Sequence, residues 1–297
     1  MNKLLLTMGI VMLPLVAFAF NDKDVRFTVH NLAYNTDVNK GLLNADIGFE
    51  RNYSANNPNM TQVCVFCHTP HNATPAIPLW NKVYDPTTAA TYRLYTSSAT
   101  LTSTTKRATI TATSPSMLCL SCHDGKTAMN VLHNSSVRDA TNAQGDAVIY
   151  FNGGLAGPQA LGDVAFSGMT YPSDLGATRN PDGTVLNATA GTNLTDDHPI
   201  GFSYDKAVAD DGGSGLRSTA TAKTNQVRFF GSTNTVECSS CHDPHVFYGY
   251  VKQGGSRVPI DMTGRTTAAP TATQQARTPF LVRDNNGSAL CLSCHIK

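Results

Sequence analysis

All eight cysteines of this chain stand in four copies of one pattern: Cys64-Val-Phe-Cys67-His68, Cys119-Leu-Ser-Cys122-His123, Cys238-Ser-Ser-Cys241-His242 and Cys291-Leu-Ser-Cys294-His295. Within one helical turn, two intervening residues bring both sulfurs to the same edge, and a histidine follows directly. Attachment of c-type haem requires this arrangement: each cysteine forms a thioether to one porphyrin vinyl group, and the histidine lies under the iron as proximal ligand. An exported disulfide framework or a zinc ribbon also uses paired cysteines, yet neither needs a histidine after every pair. The chain is therefore read as holding four covalently bound haem c groups, on Cys64 and Cys67, Cys119 and Cys122, Cys238 and Cys241, and Cys291 and Cys294. Their proximal ligands are His68, His123, His242 and His295.

Four such groups change what the remaining chain must supply. Each brings a large apolar face, so the fold can close around cofactors in place of a side-chain core. The expected class is a multihaem cytochrome c, mostly irregular, with short helices at the C-x-x-C-H sites and a few short strands, organised around a stacked haem chain. Ser114-Pro115 ahead of Ser116 predicts a helix with Pro at its first position, and Ser288 ahead of Ala289-Leu290-Cys291 predicts an N-cap. The stretch from Thr87 to Thr113 holds eleven threonines and reads as extended surface, strand-forming or glycosylated. Between Asn130 and Thr235, turn pairs such as Asn152-Gly153 and Asp182-Gly183 predict short strands and long loops. Trp80 is expected to pack against a haem face or a loop.

At the amino end, Met1-Asn2-Lys3 precedes the apolar run Leu4 to Phe18 and the small-x-small triplet Ala17-Phe18-Ala19. Residues 1–19 are read as a secretory signal peptide and residues 20–297 as the mature, exported chain. The apolar run is shorter than the ~20 residues a membrane span needs, and no other segment qualifies. With 22 Lys plus Arg against 21 Asp plus Glu, the chain lacks the basic footprint of a nucleic-acid binder.

The sixth ligand of each iron comes next. Five further histidines remain, His30, His71, His133, His198 and His245, with Met60, Met117, Met129, Met169 and Met262 as competing donors. An internal duplication chooses among them. The motifs fall into two close pairs; the first of each pair continues as C-x-x-C-H-x-Pro-His (to His71 and His245), the second reads Leu-Cys-Leu-Ser-Cys-His, and a histidine lies upstream of each pair (His30 and His198). His30, His71, His198 and His245 are thus the expected distal ligands, all four irons are bis-histidine, and His133 is the odd one out. The mature chain reads as one tetrahaem domain of two dihaem half-repeats, about 20–135 and 190–297, joined by a Gly- and Asn-rich segment. His71 lies three residues beyond His68 and so must ligate a haem beside the first. No haem precedes the first in this chain, so haem 4 of an adjacent subunit is the expected partner; His245 would reach haem 2 in the same way.

Cys64-Val-Phe-Cys67-His68-Thr-Pro-His71-Asn72, Pro78-Leu79-Trp80-Asn81, Asp197-His198-Pro199-Ile200-Gly201-Phe202 and the terminal Leu290-Cys-Leu-Ser-Cys-His295 together resemble the OmcE-type extracellular tetrahaem c-type cytochromes, which polymerise into conductive filaments called cytochrome nanowires. The resemblance implies a secreted protein, extracellular or at the cell surface, whose identical subunits join head to tail so that bis-histidine haems form a continuous chain to other redox proteins or extracellular acceptors. An electron-transfer protein rather than an enzyme is expected. A monomeric periplasmic tetrahaem carrier is the alternative, and a multihaem reductase a third reading that needs an iron with an open position.

Overall fold

The computed structural model describes residues 25, 28, 30–34, 55–71, 79–83, 92–95, 100–124, 127–151, 157–158, 194–195, 197–246, 250–253, 256–259, 277 and 280–297. Residues 1–19, Met169, Met262 and much of the Gly- and Asn-rich segment lie outside them. Among the described residues, every element of regular structure is short. In chain order, a 3-10 turn, Val63–Phe66, carries the first motif. Helices α1 (Ser103–Lys106) and α2 (Ser116–His123) follow, then strands β1 (Val131–Leu132), β2 (Ala140–Thr141) and β3 (Ala147–Val148). Strand β4 (Phe202–Ser203) leads into α3 (Tyr204–Asp211) and α4 (Thr219–Thr224). Last come β5 (Thr235–Val236), α5 (Cys238–Cys241), β6 (Tyr250–Gln253), β7 (Ser256–Pro259) and α6 (Cys291–Cys294). The strands form one three-stranded antiparallel sheet, β1-β3-β2, and the antiparallel pairs β4-β5, joined through α3 and α4, and β6-β7.

Among the described residues, the buried apolar side chains fall into several clusters, some joined by shared half-buried residues such as Phe202 and Phe229. Met60, Phe66, Met129, Leu132, Ile149 and Phe151 pack with Cys122 at their edge, and Tyr92, Tyr95, Ile110, Met117, Leu120 and Leu194 form a second cluster. Val227, Leu281, Val282 and Leu290 pack against Cys241 and Cys294. Compact domains ordinarily hold one contiguous cluster; here the apolar side chains sit in several groups beside the motifs. Met60, Met117 and Met129 belong to these clusters and are packed side chains.

Three helices depart from the expectation of helices at the motifs alone. Inside the threonine-rich stretch, Thr102 accepts from the Thr105 N–H and Asp210 of α3 accepts from the Ser103 hydroxyl and the Thr104 N–H, so this part is helical rather than extended. Between Asn130 and Thr235, Ser203 caps α3 with Gly212 in the left-handed conformation at its end, and Ser218 caps α4. These are ordinary start and stop residues, missed because the turn-rich composition around them dominates.

The predicted caps also differ. Pro115 sits at the N-cap of α2 rather than its first helical position, and the Ser116 N–H is met by the Glu237 carboxylate of the second half at 3.3 Å. Ser288 caps nothing: it has φ 63° within the 3-10 turn Asn286–Ser288, and the Leu290 N–H ahead of α6 is accepted by Asn285 Oδ1 at 3.0 Å.

The internal duplication extends into the backbone. In the first half, the Thr69 N–H donates to the Leu79 carbonyl at 3.0 Å and the Asn81 N–H to the Cys67 carbonyl at 2.9 Å, with a bridge His68 to Trp80. In the second, the Asp243 N–H donates to Phe280 at 2.7 Å and the Val282 N–H to Cys241 at 2.9 Å, with a bridge His242 to Leu281. Even the rare backbone conformation repeats, φ 63° at Leu79 and 54° at Phe280. Segments 79–82 and 280–283 are equivalent braces that hold the first proximal histidine of each half in extended backbone.

Candidate haem-binding sites

Every motif makes one helical turn through its cysteines, and in three of the four the chain extends at the histidine. The His68, His242 and His295 N–H groups donate to the carbonyls of Cys64, Cys238 and Cys291 at 2.7, 3.0 and 2.9 Å. His68 and His242 are held by the braces and His295 by a bridge to Leu216; His123 ends α2 instead. None of the eight cysteines is in a disulfide; Cys64 and Cys291 are exposed and the others half-buried.

The attachment sites follow one another in space as in sequence. Burial first and then Cys122 push the Cys67 thiol up to about 12. The Cys119 thiol is hydrogen-bonded to Cys238, which raises its pKa. Burial and then Cys294 push Cys241 up to about 12. The hydrogen bond joins motifs 2 and 3, and the electrostatic influence of Cys122 on Cys67 and of Cys294 on Cys241 puts motif 2 near motif 1 and motif 4 near motif 3. The middle contact joins the two halves, reinforced by Ser116 Oγ donating both to the Glu237 carboxylate and accepting the Cys238 N–H at 3.0 Å.

The distal candidates fall into two groups. His30 faces His123 with ring centroids 6.1 Å apart, and His198 faces His295 at 6.3 Å. A first-row metal ion holds an imidazole nitrogen at about 2.0–2.1 Å, and the ring centre lies about 1.2 Å behind it, so two imidazoles trans on one ion have centroids about 6.4 Å apart. Both pairs have that separation. The His198 Nδ1–H donates to the Pro199 carbonyl at 3.1 Å, the outer-shell contact that leaves Nε2 for a metal. His30 Nδ1 is buried without a hydrogen-bond partner. Its pKa is lowered to about 3, by burial first, then by His123 and His245, with the nearby Pro244 carbonyl opposing.

His245 lies within electrostatic reach of His68 as well: burial and then His245 lower the pKa of His68. Its Nδ1 meets Asp243 Oδ1 at 2.9 Å, and Asp243 in turn meets Arg228 at 3.3 Å. This is the carboxylate-histidine arrangement that orients a metal-binding imidazole. His71 is exposed, its carbonyl accepting from Thr69 Oγ1 at 2.6 Å and Asn134 Nδ2 at 3.2 Å. His133 is engaged elsewhere, with Nδ1 3.4 Å from Asp146. Trp80 packs edge-on to His68 with centroids 5.8 Å apart, and its buried Nε1 has no partner.

The sequence pairs haem 4 with His71 of a neighbour; in the structure His198 faces His295. It pairs His245 with haem 2; in the structure His30 faces His123, and His245 acts electrostatically on both His30 and His68. Spacing places two histidines on neighbouring groups without saying which neighbours.

The residues fit haem c. Paired thiols beside apolar clusters, facing imidazoles at the separation of axial ligands, and unsatisfied buried nitrogens at His30 and Trp80 are the donor set and cradle that the group needs. No family model and no curated protein matches the chain. Among the described residues, no helix is long and apolar enough to cross a membrane.

Proposed function

We propose that this protein transfers electrons along four covalently attached haem c groups, and that copies of it join head to tail into an extracellular filament. The nearness of each attachment site to the next along the chain supports the reading. Bound haem c supplies a one-electron iron couple, low in potential when both axial ligands are histidine; the chain anchors, ligates and aligns. His68 with His245, His123 with His30, and His295 with His198 serve haems 1, 2 and 4. Of the four expected distal histidines, His71 is the one not placed by these pairings.

The duplication says where His71 goes. Within the chain, the second half lends His245 back to haem 1 of the first half, and Phe280 of the second half packs on His30 with ring centroids 4.8 Å apart. Repeating that junction between copies, His71 of one copy reaches haem 3 of the copy before it, and Leu79, the equivalent of Phe280, covers that copy's His198. Leu79 is 56% exposed, as an unpartnered equivalent should be. Such a contact is heterologous and propagates into a filament.

Electron microscopy of the purified protein tests assembly, and the mass of the denatured chain tests attachment, since thioethers survive denaturation. Filaments of a chain carrying four haems are expected. A chain with fewer would end the tetrahaem reading, and a monomer fully low-spin at all dilutions would favour the periplasmic carrier.

A further inference from the structure

We propose that Lys82 is a potential-setting residue: its buried ammonium, anchored between the first and second attachment sites, raises the reduction potentials of the two haem c groups of the first half. The inference rests on the tetrahaem reading above. Lys82 is completely buried, and its Nζ donates to the carbonyls of Ala128 at 3.1 Å, Met129 at 2.6 Å and Val131 at 3.0 Å. An ammonium has three N–H donors, a neutral amine two. Three carbonyl acceptors are therefore satisfied by the charged form.

Backbone pairing fixes the place of this charge. Lys82 ends the brace that binds Cys67, it bridges to Leu132, and its three acceptors lie just beyond His123. Burial lowers the pKa of Lys82, with Cys122, Cys67 and then the Asp124 carboxylate opposing, so the three carbonyl acceptors are what hold the charged form; Asp124 already accepts from the Thr127 N–H at 2.7 Å and the Thr127 hydroxyl at 2.6 Å. A fixed positive charge in a medium of low dielectric favours the less positive, reduced form of an iron nearby. The equivalent brace position in the second half is also a cation. Arg283 Nη1 donates to the Asn225 carbonyl at 3.1 Å and to Ser293 Oγ at 3.0 Å, inside the fourth motif. Arg283 is partly exposed, so water screens it and its effect is smaller.

Spectroelectrochemical titration of the holoprotein tests this, with wild type, Lys82→Met, Lys82→Gln and Lys82→Arg compared and haem content checked by denatured mass. In the two neutral variants, two of the four couples should shift to more negative potential by about tenfold in the reduction equilibrium, which is 59 mV for one electron. Lys82→Arg should stay close to wild type, and Lys82→Gln separates charge from hydrogen bonding because it keeps two N–H donors. A shift below about threefold in both neutral variants, or an equal shift in all four couples, overturns the proposal. If neither neutral variant matures, Arg283→Met gives the second measurement, with about a threefold negative shift expected in the other pair and none overturning the idea. A wild type with fewer than four attached haems would instead overturn the tetrahaem reading, whatever the potentials.

Discussion

Residues 79–82 and 280–283 make the same backbone bonds to the first motif of their own half, yet they end in different surroundings. Phe280 is covered by the ring of His30, whereas Leu79 stands open to solvent. The histidines beyond each motif are both exposed and differ in what holds them: the His245 ring meets Asp243 and acts electrostatically on His68, whereas the His71 carbonyl accepts from Thr69 and Asn134. Phe280 is covered within the chain and its equivalent Leu79 is open at the surface. The head-to-tail reading proposed above takes that open surface as the one the next copy covers.

The strongest way to break this comparison is to remove the two equivalent histidines. His245→Ala should make one haem high-spin at every protein concentration, because its target lies in the same chain. His71→Ala should leave a soluble four-haem protein whose self-association is weakened by more than about 100-fold, the loss of a metal-ligand contact exceeding that of an outer-shell one. Sedimentation over a dilution series, read with the visible spectrum, separates the two. Identical behaviour of both variants would mean that His71 acts within its own chain.

Apolar contacts should divide in the same manner, with smaller effects. Phe280→Ala is expected to destabilise the monomer by about 2 kcal/mol, the loss of a half-buried aromatic contact. Leu79→Asp should change monomer stability by no more than about 0.5 kcal/mol, as exposed substitutions do, while weakening association about tenfold. Denaturant unfolding and filament length distributions measure each; a Leu79→Asp protein that still assembles normally would dissociate the two surfaces.

The motifs and their duplication were legible in the sequence because C-x-x-C-H fixes residue type and spacing together. The braces were not, because nothing in Leu79-Trp80-Asn81-Lys82 resembles Phe280-Leu281-Val282-Arg283 except a large apolar residue followed, three places on, by a cation. What repeats there is backbone bonding, which side chains encode weakly. The histidine pairings were half legible for a related reason: chain spacing limits reach but not direction. Helices α3 and α4 could have been read from Ser203, Gly212 and Ser218, had local caps been weighed against the turn-rich composition.

The halves also start their second attachment helices differently, which gives a pH test. Helix α2 is met by Glu237 from the other half, and burial outweighs the Ser116 hydrogen bonds to raise the pKa of Glu237. The folded state then binds this proton more readily than the unfolded one. Stability should therefore fall as pH rises from the ordinary Glu range through the raised value, and stay level above it. Glu237→Gln keeps an acceptor for Ser116 and should remove that slope. Unfolding midpoints from about pH 4 to 7 that rise in wild type relative to the Gln variant would show the opposite linkage.

Helix α6 has its counterpart cap within its own half, and here the smallest effect is expected. Asn285 Oδ1 accepts the Leu290 N–H at 3.0 Å, a buried donor at the start of the fourth motif that no other side chain meets among the described contacts. Asn285→Ala should cost about 1 kcal/mol, the usual value of a lost cap, and leave α2 and the junction between halves untouched. Ser288→Ala should cost much less, since the Ser288 side chain caps nothing and its positive φ is no easier for Ala than for Ser. Thermal unfolding of the two single variants decides between them. A larger loss at Ser288 would return the cap to the residue that sequence alone suggests, and the brace would then be followed by a different turn from the one described.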